Sequence, residues 1–192
     1  SSAASDVYKR QGLYLEAVAA EALVTPGDTV ALDLEAINRS PQEIKLLAVN
    51  LQPGDEEIPS KAVLHNNQSW RKTADLKIPE NAHFTNPYWL NEKGSLGMYK
   101  VENEEFIGFA ETPRKFKAVF TVEIAGVKIP FSREIVYKTN DPVKGEVYRP
   151  FEIVPEVSVA TGSDVLIFAD KEPKEITVKV KAVKNGIFGT LL

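Results

Sequence analysis

Between residues 116 and 124 every second side chain is apolar. Phe116, Ala118, Phe120, Val122 and Ile124 share one parity, while Lys117, Thr121 and Glu123 hold the other. A period of two puts those five on one face of an extended strand, and no helix can gather them on one side. The same rhythm returns at Val30, Leu32, Leu34 and Ala36, opened by Pro26-Gly27 and closed by Asn38-Arg39-Ser40-Pro41. A third run reads Leu47, Val49 and Leu51, ended by Pro53-Gly54. Half-buried antiparallel strands separated by proline and glycine turns are the units of a β-sandwich.

After the 116–124 run, Ala125-Gly126 leads into Val127, Ile129, Phe131, Ile135 and Tyr137. The two runs are expected to pair as a hairpin, with Gly126 supplying a positive φ. Pro130 inside the second run predicts an edge strand or a bulge, because proline donates no ladder hydrogen bond. Residues 13–23, LYLEAVAAEAL, are rich in helix formers. We nevertheless expect a strand, since Leu13, Leu15 and Ala17 alternate and sheet context overrides local propensity. The weakly patterned stretch 53–114 is too long for a simple connection, and is expected to hold further strands together with a functional or packing loop.

The sequence thus predicts an all-β chain of tandem antiparallel β-sandwiches, immunoglobulin-like or CARDB-like, the second one truncated. Residues 12–140 form the first. The proline-punctuated run Val147-Tyr148-Arg149-Pro150-Phe151-Glu152-Ile153-Val154-Pro155 is expected to be a strand-like linker, so that 141–192 hold this linker and an incomplete second sandwich. Strands there are expected at 157–160, 164–169 and 176–182, followed by a hairpin turn at Asn185-Gly186 and a cut strand at 187–192. Residues 1–11 show no periodicity, and AASDVYKRQ resembles the translated sequencing adapter found at the ends of metagenomic reading frames. We therefore read the chain as a piece of a longer protein with a non-native leader.

The chemistry on offer is narrow. The 23 Lys and Arg residues against 27 Asp and Glu leave a net charge of −4, which argues against nucleic acid as a partner. Apolar residues make up 43% of the chain, enough for a real core, yet no run reaches the about 18–20 residues of a membrane span. The chain has no cysteine, so disulfides, thiolate zinc sites and cysteine nucleophiles are excluded. His65 and His83 lack the i, i+4 spacing that aims two imidazoles at one metal, and we expect structural or surface roles for both. Glu104 and Glu105 are neighbours, which on a strand face opposite ways. Asp55-Glu56-Glu57 lacks the alternation of a calcium loop, and no serine stands in a nucleophile elbow or phosphate loop. Aromatic residues remain. Trp70, then Asn86, Tyr88 and Trp89 of N-P-Y-W-L, then Tyr99 form a candidate surface for glycan or interdomain contact, since sugar C–H faces pack on rings while amides bond hydroxyls. Core packing is the alternative for these rings.

Several segments together resemble a known family. They are Gly12-Leu13-Tyr14-Leu15-Glu16-Ala17, the strand from Thr25-Pro26-Gly27-Asp28 to Asn38-Arg39-Ser40, Asn86-Pro87-Tyr88-Trp89-Leu90, Ile107-Gly108, and above all Asp141-Pro142-Val143-Lys144-Gly145-Glu146-Val147-Tyr148-Arg149-Pro150. Over nearly all of 12–192 the chain is similar to the region after the catalytic domain in large bacterial PIG-L (LmbE-like) deacetylases, notably those of Bacteroidota. The family's catalytic domain binds zinc through a His-Pro-Asp-Asp-type motif and hydrolyses the N-acetyl group of N-acetylglucosamine-type substrates. Here His65 is followed by Asn66-Asn67 and His83 by Phe84-Thr85, so no ligand or catalytic aspartate carries over. The resemblance implies a non-catalytic accessory region, without zinc or other cofactor of its own. Its implied partners are the catalytic domain of the same chain and glycan, and its implied location is the periplasm or outside the cell.

Overall fold

The computed structural model describes residues 12–54, 56–87, 96, 112–162, 165, 167, 173 and 175–190. In chain order the strands are β1 (Leu13–Ala19), β2 (Leu23–Val24), β3 (Thr29–Asn38), β4 (Ile44–Gln52), β5 (Glu56–Leu64), β6 (Ser69–Lys77), β7 (Lys117–Ile124), β8 (Val127–Glu134), β9 (Val136–Asp141), β10 (Gly145–Pro150), β11 (Glu152–Ile153), β12 (Val157–Thr161) and β13 (Val178–Ala182). No helix occurs among the described residues, so the all-β expectation holds, and none of the sheets closes into a barrel.

One sheet runs in the order β10-β9-β1-β3-β6 and a second in the order β5-β4-β7-β8. Their inner faces share a single apolar cluster. Leu15, Ala17, Leu32, Leu34 and Ala36 come from the first sheet; Leu46, Val49, Leu51, Phe120 and Val122 come from the second. Phe120 is fully buried and is the largest side chain in that state. Burying such a ring contributes roughly 2–3 kcal/mol, which is why the alternation of β7 is so clean.

The strand expectation for 13–23 is met by β1 and β2. Leu13, Leu15, Ala17 and Ala19 are buried in the core, a spacing no helix face would give, and β1 pairs with β3 along its whole length. Long-range pairing outweighs the alanine-rich local preference. The stretch 53–114 contributes β5 and β6, and β6 pairs antiparallel with β3 from Thr29↔Lys77 to Ile37↔Ser69.

In β4 the pattern breaks. Ile44 and Leu46 face the core, then the register shifts before Ala48, and Val49 with Leu51 face the core again. Leu47 is the extra residue of a bulge, which resets the parity that a simple alternation would have kept. The β7–β8 turn needs a positive φ at two positions: Ala125 has φ 50° and Gly126 φ 80°. Ile124 and Val127 pair directly across it, the geometry of a two-residue hairpin loop. Pro130 sits on β8, the edge of its sheet, as its missing donor requires.

The run 127–137 does not stay in one sheet. Ile135, buried, separates β8 in the second sheet from β9 in the first, where β9 pairs parallel to β1. The proline-punctuated stretch then does more than connect. Asp141 Oδ1 accepts from the amides of Val143 (2.8 Å) and Lys144 (2.9 Å), turning the chain so that β10 lies antiparallel on β9. β11 pairs parallel with β2, and Phe151 and Ile153 enter the shared core.

Two buried polar groups tie these strands together. Asn38, 1% exposed, donates from Nδ2 to the carbonyls of Gln42 (2.8 Å) and Leu64 (2.9 Å). Its Oδ1 accepts from Ser40 N (2.9 Å) and Ser40 Oγ (2.8 Å). Glu16 lies on the face of the first sheet turned away from the core, and is still only 9% exposed. Lys138 Nζ donates to its Oε2 (2.9 Å) and Tyr148 OH to its Oε1 (2.9 Å). Burial pushes the Glu16 carboxyl up, but the hydrogen bonds from Lys138, Tyr14 and Tyr148 outweigh it and hold the group below its ordinary value. Lys138 is held up, chiefly by its bond to Glu16. Tyr148 is raised by burial and then by Glu16.

β12 and β13 form a separate antiparallel pair. Lys184, just past β13, bridges to Asp28 and Glu156. Val159, Val178 and Val180 are exposed. Asn185-Gly186 does turn, with Gly186 at φ 78°, but residues 187–190 carry no strand. Of the strand expected at 164–169 only Val165 and Ile167 are among the described residues.

Candidate functional site

Beyond β6 the chain is stitched to β11. Thr85 N donates to Ile153 O (2.8 Å), and Ile153 N donates back to Thr85 Oγ1 (2.9 Å). One residue on, the Asn86 carbonyl accepts from Thr112 Oγ1 at 3.0 Å. Residues 86 and 112 therefore meet at one end of the sandwich. There they frame a pocket of about 380 Å³, within the range of small-molecule sites.

The floor is apolar. Phe116, just before β7, and Phe151, between β10 and β11, meet edge to face with ring centroids 5.8 Å apart and planes at 78°. Ile135 and Ile153 lie beside them, both buried. Each arrives for a local reason: Ile135 where the chain leaves one sheet for the other, Phe151 where proline ends β10. The rim is polar and carries positive charge. Arg114 pairs with Glu152 (3.7 Å), Lys115 and His83 are exposed, and Asn86 and Thr112 present amide and hydroxyl. Aromatic rings, with the exposed Phe84 among the lining, beside hydrogen-bonding groups suit a ligand with one apolar face and one polar edge, or a loop of a neighbouring domain. The described lining holds no serine or cysteine nucleophile, and its imidazole, on His83, is exposed.

The five residues singled out from the sequence fare differently. Asn86 is exposed at the rim of this pocket. Trp70 lies on β6 opposite Ala36, half-buried and packed against the shared core, and is not among the residues lining the pocket. Tyr88, Trp89 and Tyr99 lie outside the described residues, as do Glu104 and Glu105. His65 is exposed, as is His83, and among the described residues no three His, Asp or Glu side chains group as metal ligands would.

Sequence reasoning missed Phe84, Thr85, Phe116 and Phe151 as parts of one site. Phe116 read as the start of a strand and Phe151 as part of a linker. The available signal was Phe151-Glu152-Ile153, a brief alternation between two prolines that marks a short buried strand. Among the described residues no helix is long and apolar enough to cross a membrane. No protein-family model, no curated protein and no solved structure matches this chain.

Proposed function

We propose that residues 12–192 are a non-catalytic accessory β-sandwich region of a PIG-L-type, zinc-dependent N-acetylglucosamine deacetylase, exported to the periplasm or beyond. Its sandwich is of the immunoglobulin-like or CARDB-like type. It packs on the catalytic domain of its own chain and contacts glycan, and the zinc belongs to that other domain. The observation that carries this reading is the pocket at the sandwich end. Asn86 stands at its rim, where the Asn86-Pro87-Tyr88-Trp89-Leu90 segment begins, and a Phe116–Phe151 floor lies beneath. The resemblance of that segment, and of the Asp141–Pro150 run that builds the β9–β10 hairpin, supplies the family.

A tandem-sandwich spacer or adhesion array is the second reading. It is favoured by β12 and β13, which pair apart from both sheets and expose valines where a further layer would sit. A free-standing carbohydrate-binding module is a third, separate reading. The test is the complete reading frame at the genomic locus. A His-Pro-Asp-Asp motif upstream in the same frame supports the accessory role. A frame of repeated sandwiches without a zinc motif overturns it.

A further inference from the structure

On the face of the first sheet turned away from the core, cross-strand neighbours form three donor–acceptor couples. Lys138 bonds Glu16 (2.9 Å), Arg71 bonds Glu35 (2.8 Å from both Nε and the terminal nitrogen), and Thr73 Oγ1 donates to Asp33 (3.0 Å). The couples sit on consecutive strands, because the register sets Glu16 opposite Glu35 and Val18 opposite Asp33 between β1 and β3. Glu35 and Asp33 in turn face Arg71 and Thr73 on β6. Together they line an open concavity of about 460 Å³.

Its chemistry narrows the ligand. Three carboxylates, Glu16, Asp33 and Glu35, are met by two cations, Arg71 and Lys138, while Lys72 stands opposite buried Leu34 on the other parity, so the groove carries a slight negative excess that disfavours an anionic ligand. The exposed couples, Arg71 with Glu35 and Thr73 with Asp33, instead present an acceptor and a donor about one hydrogen-bond length apart, and the buried Glu16 with Lys138 backs them. Adjacent ring hydroxyls have the same spacing, and each hydroxyl both donates and accepts. The groups are held by the sheet itself: Glu16 is buried, Glu35 has a side chain only 17% exposed, and neither must be ordered on binding. Arg71, 73% exposed, leaves its remaining N–H donors toward water.

We propose that this groove on the outer face of the first sheet, formed by β1, β3, β6 and β9, is a binding surface for a neutral saccharide. It is separate from the pocket at the sandwich end and does not require the parent to be a deacetylase.

The test is an NMR titration of the ¹⁵N-labelled chain with three trisaccharides: triacetylchitotriose and maltotriose, both neutral, and anionic trigalacturonate. The expected result is that at least one neutral trisaccharide, in the millimolar range, shifts the amides of Val18, Asp33, Glu35, Arg71 and Thr73. Arg71→Ala should then weaken binding by about tenfold or more, the effect of one lost charge-assisted hydrogen bond, with an unchanged melting temperature because Arg71 is exposed. Glu35→Gln, which keeps the shape, should weaken binding as well. Shifts confined to Thr85, Asn86 and Thr112 would overturn the groove while leaving glycan contact at the sandwich end intact. No shift with either neutral sugar, or tighter binding of trigalacturonate, would also overturn it. The genomic reading frame decides the accessory role independently of all these outcomes.

Discussion

Lys138 Nζ stands 2.9 Å from Glu16 Oε2, a contact between residues 122 positions apart that locks β9 against β1. The two strands share only a short parallel ladder, Val18↔Val136 and Ala19↔Tyr137. The ion pair and the Tyr148 hydroxyl therefore carry much of the attachment of the β9–β10 hairpin to the rest of its sheet. Glu16→Gln is expected to destabilise the protein by about 2 kcal/mol at pH 7, since it weakens the hydrogen bonds from Lys138, Tyr14 and Tyr148 at a buried carboxylate.

The pH dependence has a definite sign. The folded state holds Glu16 below the ordinary carboxylate value of 4.5, so its contribution is complete above that value and is lost as pH falls through the lowered one. Lys138 is held above 10.5, so its contribution is complete below 10.5 and is lost as pH rises through the raised value. Urea unfolding of the parent protein and of Glu16→Gln should thus differ most between about pH 5 and 10, and the two curves should converge in acid. A difference that persists unchanged at pH 2 would contradict this.

Asn38 uses both ends of its amide to hold the β3–β4 turn and to reach β5 at Leu64. Asn38→Ala leaves the Leu64 carbonyl without that donor in the interior. The expected cost is about 2–3 kcal/mol in chemical denaturation. Asn38→Asp should be no milder, because a carboxylate cannot donate to Gln42 and Leu64.

At Ala125 the structure adopts a conformation that suits a different residue. Its φ of 50° crowds a Cβ, and the exposed turn leaves room for change. Ala125→Asn or Ala125→Gly, giving an Asn-Gly or Gly-Gly hairpin turn, should raise stability by about 0.5–1 kcal/mol in thermal unfolding. A loss of stability in both variants would show that the turn is not of this kind.

Metal and substrate chemistry give a further expectation. Incubated with zinc and dialysed, the chain should retain no stoichiometric metal, and it should release no acetate from N-acetylglucosamine derivatives. Bound zinc together with acetate release would place catalysis within these residues.

Much of the two-sheet core was legible because a half-buried strand writes its burial into parity. β3 and β7 are plain in this way, and Ala125-Gly126 marks the turn from β7 to β8. Residues 13–23 were harder, since alanine and glutamate favour helix locally, and only pairing with β3 decides the matter. Three features could not be read. The bulge at Leu47 inserts one residue without a compositional mark, the crossing at Ile135 is a choice between two facing sheets, and Phe151 meets Phe116, a partner far away in sequence. The pocket suffered most, because Phe116 and Phe151 become neighbours only through the fold. The saccharide groove was hidden too: Glu16, Glu35 and Arg71 alternate with core residues and read simply as a solvated face.

Amide hydrogen exchange, compared between this chain alone and the complete parent protein, tests most directly the view that the sandwich end is a docking surface. Residues 83–86 and 112–116 should exchange markedly more slowly in the parent, while the core strands β3 and β7 serve as an internal reference. Equal exchange at the Thr85, Asn86 and Thr112 end in the two proteins would contradict it.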